Sequence, residues 1–165
     1  MGVRWLSRHC LVVLYEFATA ADENPDVIGW ALGAGSVLIE CKLSRSDFLR
    51  DKAKTVRRNP REGMGQRRYY LCPPGLIQVK DLPPKWGLLW VVKGEVIIKR
   101  EARGYPERNL PAEVRFLSSM LRRAQIRIGK RPLSEWLRGE NRFEAKCGIS
   151  PNRHQVPRES SRTLR

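Results

Sequence analysis

Apolar residues recur along the chain in short blocks separated by glycine, proline and polar turns, a pattern that predicts several short strands and few helices. Trp5, Leu6 and His9 read as the last turn of a short helix feeding an apolar strand, Leu11 to Tyr15. After the polar turn Ala20 to Pro25, the residues Val27, Ile28, Trp30 and Leu32 predict a second strand, which ends at Gly33-Ala34-Gly35. Ser36 to Glu40 predicts a third, and its unbroken run Val37-Leu38-Ile39 suits a central strand buried on both faces. The last two form a hairpin of adjacent strands.

Ser44 offers an N-cap and Asp47 stands where the acidic member of a capping box belongs, so Arg45 to about Arg57 predicts a helix. Phe48 and Leu49 anchor its apolar side, which Ala53 and Val56 extend. Asn59-Pro60 ends it, and Gly63-Met64-Gly65 makes a loop before the strand Arg68 to Cys72. Strands Gly87 to Val92 and Glu95 to Lys99 follow, joined by a turn at Lys93-Gly94. Pro111 fits the first position of a final helix, whose stripe Val114, Leu117, Leu121, Ala124 and Ile128 predicts a core face. From Gly129 the pattern decays. Residues 1–128 are therefore read as one α/β (α+β) domain and residues 129–165 as a basic C-terminal extension, partly disordered.

Charge changes this picture. The formal net charge is +15 in 165 residues, which points to a polyanionic partner. Residues 1–41 carry 2 basic against 5 acidic side chains, and residues 42–80 carry 11 against 3. Acids thus gather just ahead of a strongly basic stretch, the arrangement expected of a metal site set in a phosphate-binding surface, or of a solvated basic face.

The four cysteines, Cys10, Cys41, Cys72 and Cys147, form no CxxC pair, which argues against a zinc knuckle or a disulfide framework and for reduced thiols. Arg4 and Arg8 before the apolar run Cys10 to Phe17 imitate a secretory signal, but Glu16 inside the run argues against one. No apolar stretch has the length of a membrane span. The expectation is a cytoplasmic protein, neither secreted nor membrane-bound.

The candidate chemistry lies on the hairpin. Pro25-Asp26 is followed, with thirteen residues intervening, by Glu40-Cys41-Lys42. Asp26 opens one strand and Glu40 closes the next, so antiparallel pairing brings both acids to one end of the sheet. Alternation along the strand puts Glu40 and Lys42 on one face and Cys41 on the other. Hard oxygen ligands of this kind bind Mg²⁺ or Mn²⁺, which can polarise a phosphate and acidify a water. Asp26, Glu40 and the backbone carbonyl of Cys41 are the candidate metal ligands. Lys42, with a pKa lowered by its setting, would position or deprotonate the attacking water. Asp26, Glu40 and Lys42 are then the candidate catalytic residues, against the plainer reading of a turn aspartate and a salt-bridged strand end.

The order helix, strand, PD strand, ExK strand, helix, strand resembles the PD-(D/E)XK, or restriction-endonuclease-like, superfamily. More narrowly, Val37 to Asp51 (VLIECKLSRSDFLRD), Gly63 to Ile77 (GMGQRRYYLCPPGLI) and Leu82 to Val91 (LPPKWGLLWV) resemble a group of small bacterial and phage proteins with that core. The resemblance covers about residues 5 to 100. It implies a mixed central sheet flanked by helices, and a Mg²⁺- or Mn²⁺-dependent nuclease hydrolysing phosphodiester bonds of DNA in phage or bacterial DNA processing. Many such nucleases act as homodimers. The alternatives are a non-catalytic nucleic-acid-binding protein and a basic structural or assembly protein.

Glu16 is a further candidate acid of the site, or an edge-facing glutamate. Arg45 follows the ExK closely enough to clamp a phosphate oxygen. Lys52, Lys54, Arg57, Arg58, Arg67 and Arg68, with Tyr70, complete a candidate nucleic-acid surface of cations and an aromatic. Of the pair Tyr69-Tyr70 only one faces the site, and Trp86 and Trp90 are expected to pack.

Overall fold

A computed structural model describes residues 1–16, 23–33, 35–127 and 129. The apolar blocks become six strands: β1 (Val12–Tyr15), β2 (Val27–Trp30), β3 (Ser36–Cys41), β4 (Arg67–Cys72), β5 (Gly87–Val92) and β6 (Glu95–Arg100). The helices are α1 (Gly2–Leu6), α2 (Arg45–Ala53), α3 (Thr55–Arg58) and α4 (Leu110–Arg127). The strands form one mixed sheet in the order β1-β2-β3-β4-β5-β6. β1, β2 and β3 are an antiparallel meander, β3-β4 and β4-β5 are parallel, and β6 returns antiparallel to β5. The fold is a mixed α+β arrangement.

Register fixes which side chains share a face. Val27 pairs with Ile39, and Glu40 lies opposite Tyr70 across the parallel β3-β4 pair. On one face Val27, Ile39, Tyr69, Leu71 and Leu89 bury against Leu6 of α1. That face leaves no room for added bulk at Gly87, where a Cβ would come within 2.3 Å of the Tyr69 ring. On the other face, Phe48 of α2 meets Tyr70 edge-on at 5.0 Å, and Tyr70 stacks on Trp86 at 4.4 Å. All three rings are fully buried, each contributing on the order of 2 kcal/mol by burial.

Ser44 caps α2 as its sequence implies, its Oγ accepting the Asp47 N–H at 3.2 Å. The expected single helix from Arg45 to about Arg57 is corrected, because it breaks at Lys54, where ψ is 144°, and resumes as α3. The break lets Arg57 turn inward to buried acids. The second strand also ends earlier than its apolar pattern suggests, at Trp30, leaving Leu32 exposed.

The chain divides into two compact units, Met1–Ser119 and Met120–Arg165, the division falling within α4. In the first unit α4 buries Ala112, Glu113 and Phe116. Val114 and Leu121, expected in the core, are each 53% exposed. The displacement follows from Glu113, whose carboxylate accepts from Ser36 Oγ and the Gly65 N–H, both at 2.9 Å, and so turns that side of the helix to the sheet. Gly65 reaches this bond at φ +85°, a conformation suited to glycine. Of the second unit, 120–127 complete α4 and Gly129 follows. The expected extension of residues 130–165, with Cys147, and the stripe residue Ile128 lie outside the described residues.

Among the described residues no helix is long and apolar enough to cross a membrane. Cys10, Cys41 and Cys72 are free thiols among the described residues.

Candidate functional site

At the end of β3, Glu40 and Lys42 project together to the α2 side, and Lys42 Nζ donates to Glu40 Oε2 at 3.0 Å. Asp26, just ahead of β2, is tied to the same strand end: its Oδ2 accepts the Cys41 N–H at 2.7 Å. The ladder then continues, Lys42 N–H donating to the Leu71 carbonyl at 2.9 Å. The hairpin therefore brings the three candidate catalytic residues to one end of the sheet.

Glu40 and Lys42 do not stand open to solvent, however, being 3% and 5% exposed. They belong to a buried ionic network that adds Glu23 and Asp51, which no local pattern had marked, and draws in Arg57 and Tyr70 from the expected nucleic-acid surface. Arg57 is its hub. Its guanidinium is ion-paired with Glu23, lies 2.7 Å from Glu40 Oε1, and donates from Nε to Asp51 Oδ2 at 2.9 Å. Asp51 also accepts from the Tyr70 hydroxyl at 2.8 Å and pairs with Lys54 at 2.9 Å on the rim. Glu23 in turn accepts the Met64 N–H at 2.6 Å. Phe48, Tyr70 and Trp86 wall the network with hydrocarbon, and Arg57 lies 5.2 Å over the Trp86 ring.

Such burial decides the electrostatics. Desolvation raises the Glu40 carboxyl to about 7 in spite of Arg57 and Lys42, with Asp51 and Asp26 adding to the rise. Asp51 goes the other way: burial opposes its charge, but hydrogen bonds and charge from Arg57 outweigh burial and hold it well below the usual carboxylate range. For Lys42, burial works against the ammonium, yet Glu40 and Asp51 outweigh it and its pKa rises. The expectation of a lysine with a lowered pKa is corrected: Lys42 is held charged. Burial, with Asp26 adding to it, pushes the Cys41 thiol up to about 11, which leaves it protonated.

Asp26 borders an open cleft of about 340 Å³ shared with Glu16, Cys41 and Asp47. Glu40 and Lys42 do not line it. Glu16 sits past the end of β1 at φ 48° and donates its N–H to the Asp26 carbonyl at 3.1 Å. Among the described residues no group of three or more His, Cys, Asp and Glu is placed to hold a metal ion.

The candidate nucleic-acid surface needs correction. Arg57, Arg68 and Tyr70 are buried, not exposed. Arg68 supports the 60–65 loop, donating to the carbonyls of Pro60, Gly63 and Gly65 at 2.7 to 3.0 Å and lying 4.6 Å over the Tyr105 ring. Arg45 grips the Asp81 carboxylate with both terminal nitrogens, at 2.6 and 2.9 Å, and Lys52 donates to the Asp81 carbonyl at 2.6 Å. These two cations fasten the short 3-10 turn Val79–Asp81 to α2. Only Arg58 and Arg67 of the set are exposed without an ion pair among the described residues. Tyr69 turns to the α1 face and donates to Glu101 at 2.7 Å, while Trp86 and Trp90 pack as expected.

No protein-family model and no curated protein matches this chain. In structure it is similar to a protein of unknown function from Silicibacter pomeroyi, with a TM-score of 0.57 and 25% identity over 78% of this chain and 87% of the other.

Proposed function

We propose that the chain is a metal-dependent nuclease of the PD-(D/E)XK kind, acting on DNA. The observation that carries this reading is the convergence of Asp26, Glu40 and Lys42 at one end of the β2-β3 hairpin, through the 2.7 Å bond from the Cys41 N–H to Asp26 and the 3.0 Å bond from Lys42 to Glu40. The element order supports it: a short helix, an antiparallel meander, helices, then a strand parallel to β3, as the resemblance implies.

On this reading the ion is Mg²⁺ or Mn²⁺, held by oxygen ligands. Asp26, Glu40 and the Cys41 carbonyl supply hard oxygens, and Glu40 Oε1 is buried without a hydrogen bond, its one close neighbour being the Arg57 ion pair. When bound, the ion would polarise a phosphate and acidify a water. Lys42, held as an ammonium, offsets phosphate charge and orients a water through its N–H donors. Asp51 and Tyr70 fix Lys42 and Arg57 from behind, which keeps Glu40 at the strand end.

A second reading has its own observation. Glu40 and Lys42 are almost wholly buried and neutralise one another together with Arg57, as in a structural network of a non-catalytic nucleic-acid-binding protein. Nicking of plasmid and cleavage of single strands with Mg²⁺ or Mn²⁺ separates the two. The nuclease reading expects metal-dependent cleavage that falls at least about 100-fold in Asp26→Ala and Lys42→Ala while DNA binding persists. Binding by the unaltered protein with no metal-dependent cleavage supports the second reading instead.

A further inference from the structure

We infer that a cleft between α3 and the segments 84–85 and 105–107 is a phosphate-binding subsite for the nucleic-acid backbone, with Arg58 and Lys85 as its cationic walls. The cleft measures about 420 Å³ and is lined by Arg57, Arg58, Pro84, Lys85, Tyr105 and Glu107 among others. It lies apart from the one that Asp26 borders, with no lining residue in common.

Its charge is set by what is already spent. The Arg57 guanidinium is consumed by Glu23, Glu40 and Asp51. Glu107, the acid in the lining, is paired with Arg61 at 2.5 Å and adds no unbalanced negative charge. Arg58 and Lys85 are both exposed, and among the described residues neither is in an ion pair. Two exposed cations, neither in an ion pair among the described residues, thus border one concave space. Lys85 is also held in place. Its backbone sits at φ 63°, its carbonyl accepts the Arg103 N–H at 2.9 Å, and its ammonium lies 5.2 Å over the Tyr105 ring. Tyr105 is fixed beneath it by a hydrogen bond from its hydroxyl to the Pro84 carbonyl and by Arg68 at 4.6 Å on its ring. Lys85 and Arg68 both lie over the Tyr105 ring, so the ring is already engaged by cations and the cleft offers charge to an anion, not an aromatic face to a base.

The inference rests on the nucleic-acid reading above and adds to it where the strand runs: over α3 and the 84–85 turn. Its test is binding of a fluorescent DNA oligonucleotide to the full chain, without divalent ions, as salt is varied. The variants are Arg58→Ala, Lys85→Asn and the double variant, asparagine being chosen because it accepts a positive φ. Arg115→Ala, which removes an exposed charge from α4 outside the cleft, is the control for net charge. The double variant is expected to bind about tenfold more weakly regardless of base sequence, and to lose about two phosphate contacts from the slope of log affinity on log salt. Excess inorganic phosphate should compete poorly, since a free ion lacks the neighbouring contacts of a strand. Equal affinity and slope in each single variant and in Arg115→Ala, which remove one charge apiece, overturns the subsite while leaving the nucleic-acid reading intact. Tight binding of free phosphate with no effect on DNA reassigns the cleft to a small anion and also overturns it. Absence of DNA binding by the unaltered protein overturns both. Unchanged circular dichroism confirms that each variant folds, and Arg58→Ala alone keeps the question open to measurement if Lys85→Asn does not.

Discussion

The two faces of the central sheet solve the same packing problem with opposite chemistry. Toward α1, Ile39 and Leu71 are buried against hydrocarbon. Toward α2, Glu40, one residue along from Ile39, is buried against Lys42 and Arg57. A face packed with hydrocarbon is stabilised by area removed from water and is indifferent to pH. An ionic face gains from mutual attraction but must first strip water from every charge, and it fails badly if one partner is lost. Keeping such a face is understandable where the charges have work to do besides holding the fold.

The sharpest way to break this comparison is to remove the hub. Arg57→Ala leaves Glu23, Glu40 and Asp51 without their shared cation and should cost about 3–5 kcal/mol in denaturant unfolding. A cost below about 1 kcal/mol would show that the acids simply take up protons. Next in size is the pH profile. The Glu40 carboxyl titrates near 4.5 when unfolded and is raised to about 7 in the fold. Its stabilising share is therefore complete below about pH 4.5 and disappears as pH rises through 7. Stability of the unaltered protein should decline over that window, and Glu40→Gln should remove that decline. Asp51, with its pKa lowered, acts in the opposite sense: its share is present above about pH 3.8 and fades as pH falls further. On the hydrocarbon face, Ile39→Val should cost about 1 kcal/mol at pH 5 and at pH 7 alike, since it deletes one methyl from a fully buried side chain. The smallest effect expected is Ser44→Ala, about 0.5 kcal/mol from loss of the α2 cap, read as a shift in midpoint with unchanged slope.

The strands of the hydrocarbon face were the legible part. The runs Val37-Leu38-Ile39 and Gly87 to Val92 announced buried strands, and Ser44 announced its cap, because those signals are local. The hairpin geometry of Asp26, Glu40 and Lys42 followed from alternation and register alone. The ionic face was largely hidden. Arg57 reaches Glu23 across 34 positions, and no local periodicity encodes a pairing at that separation. One clue was present: Asp51 lies three residues past Phe48, on the apolar side of α2, where a carboxylate needs a buried partner. A cation-rich stretch such as Arg57 to Arg68 reads as solvated or ligand-binding, and only the tertiary structure shows that two of its arginines are interior struts. The stripe on α4 misled for a related reason, because the buried Glu113 carboxylate, and not its neighbour Val114, takes the side of the helix turned to the sheet.

The sheet order repeats the chain order, each strand lying beside the one synthesised before it. A nascent chain can then add strands one at a time to an edge already in place, with little search for distant partners. The ionic face follows a different timetable. Glu23, Glu40 and Asp51 emerge first, and until Arg57 arrives Lys42 serves Glu40 and Asp51 while no cation joins Glu23 to them. Closure of that face must wait for α3, and the hydrocarbon face is completed later still, since Leu6, Val27 and Ile39 precede Arg57 but Tyr69, Leu71 and Leu89 follow it.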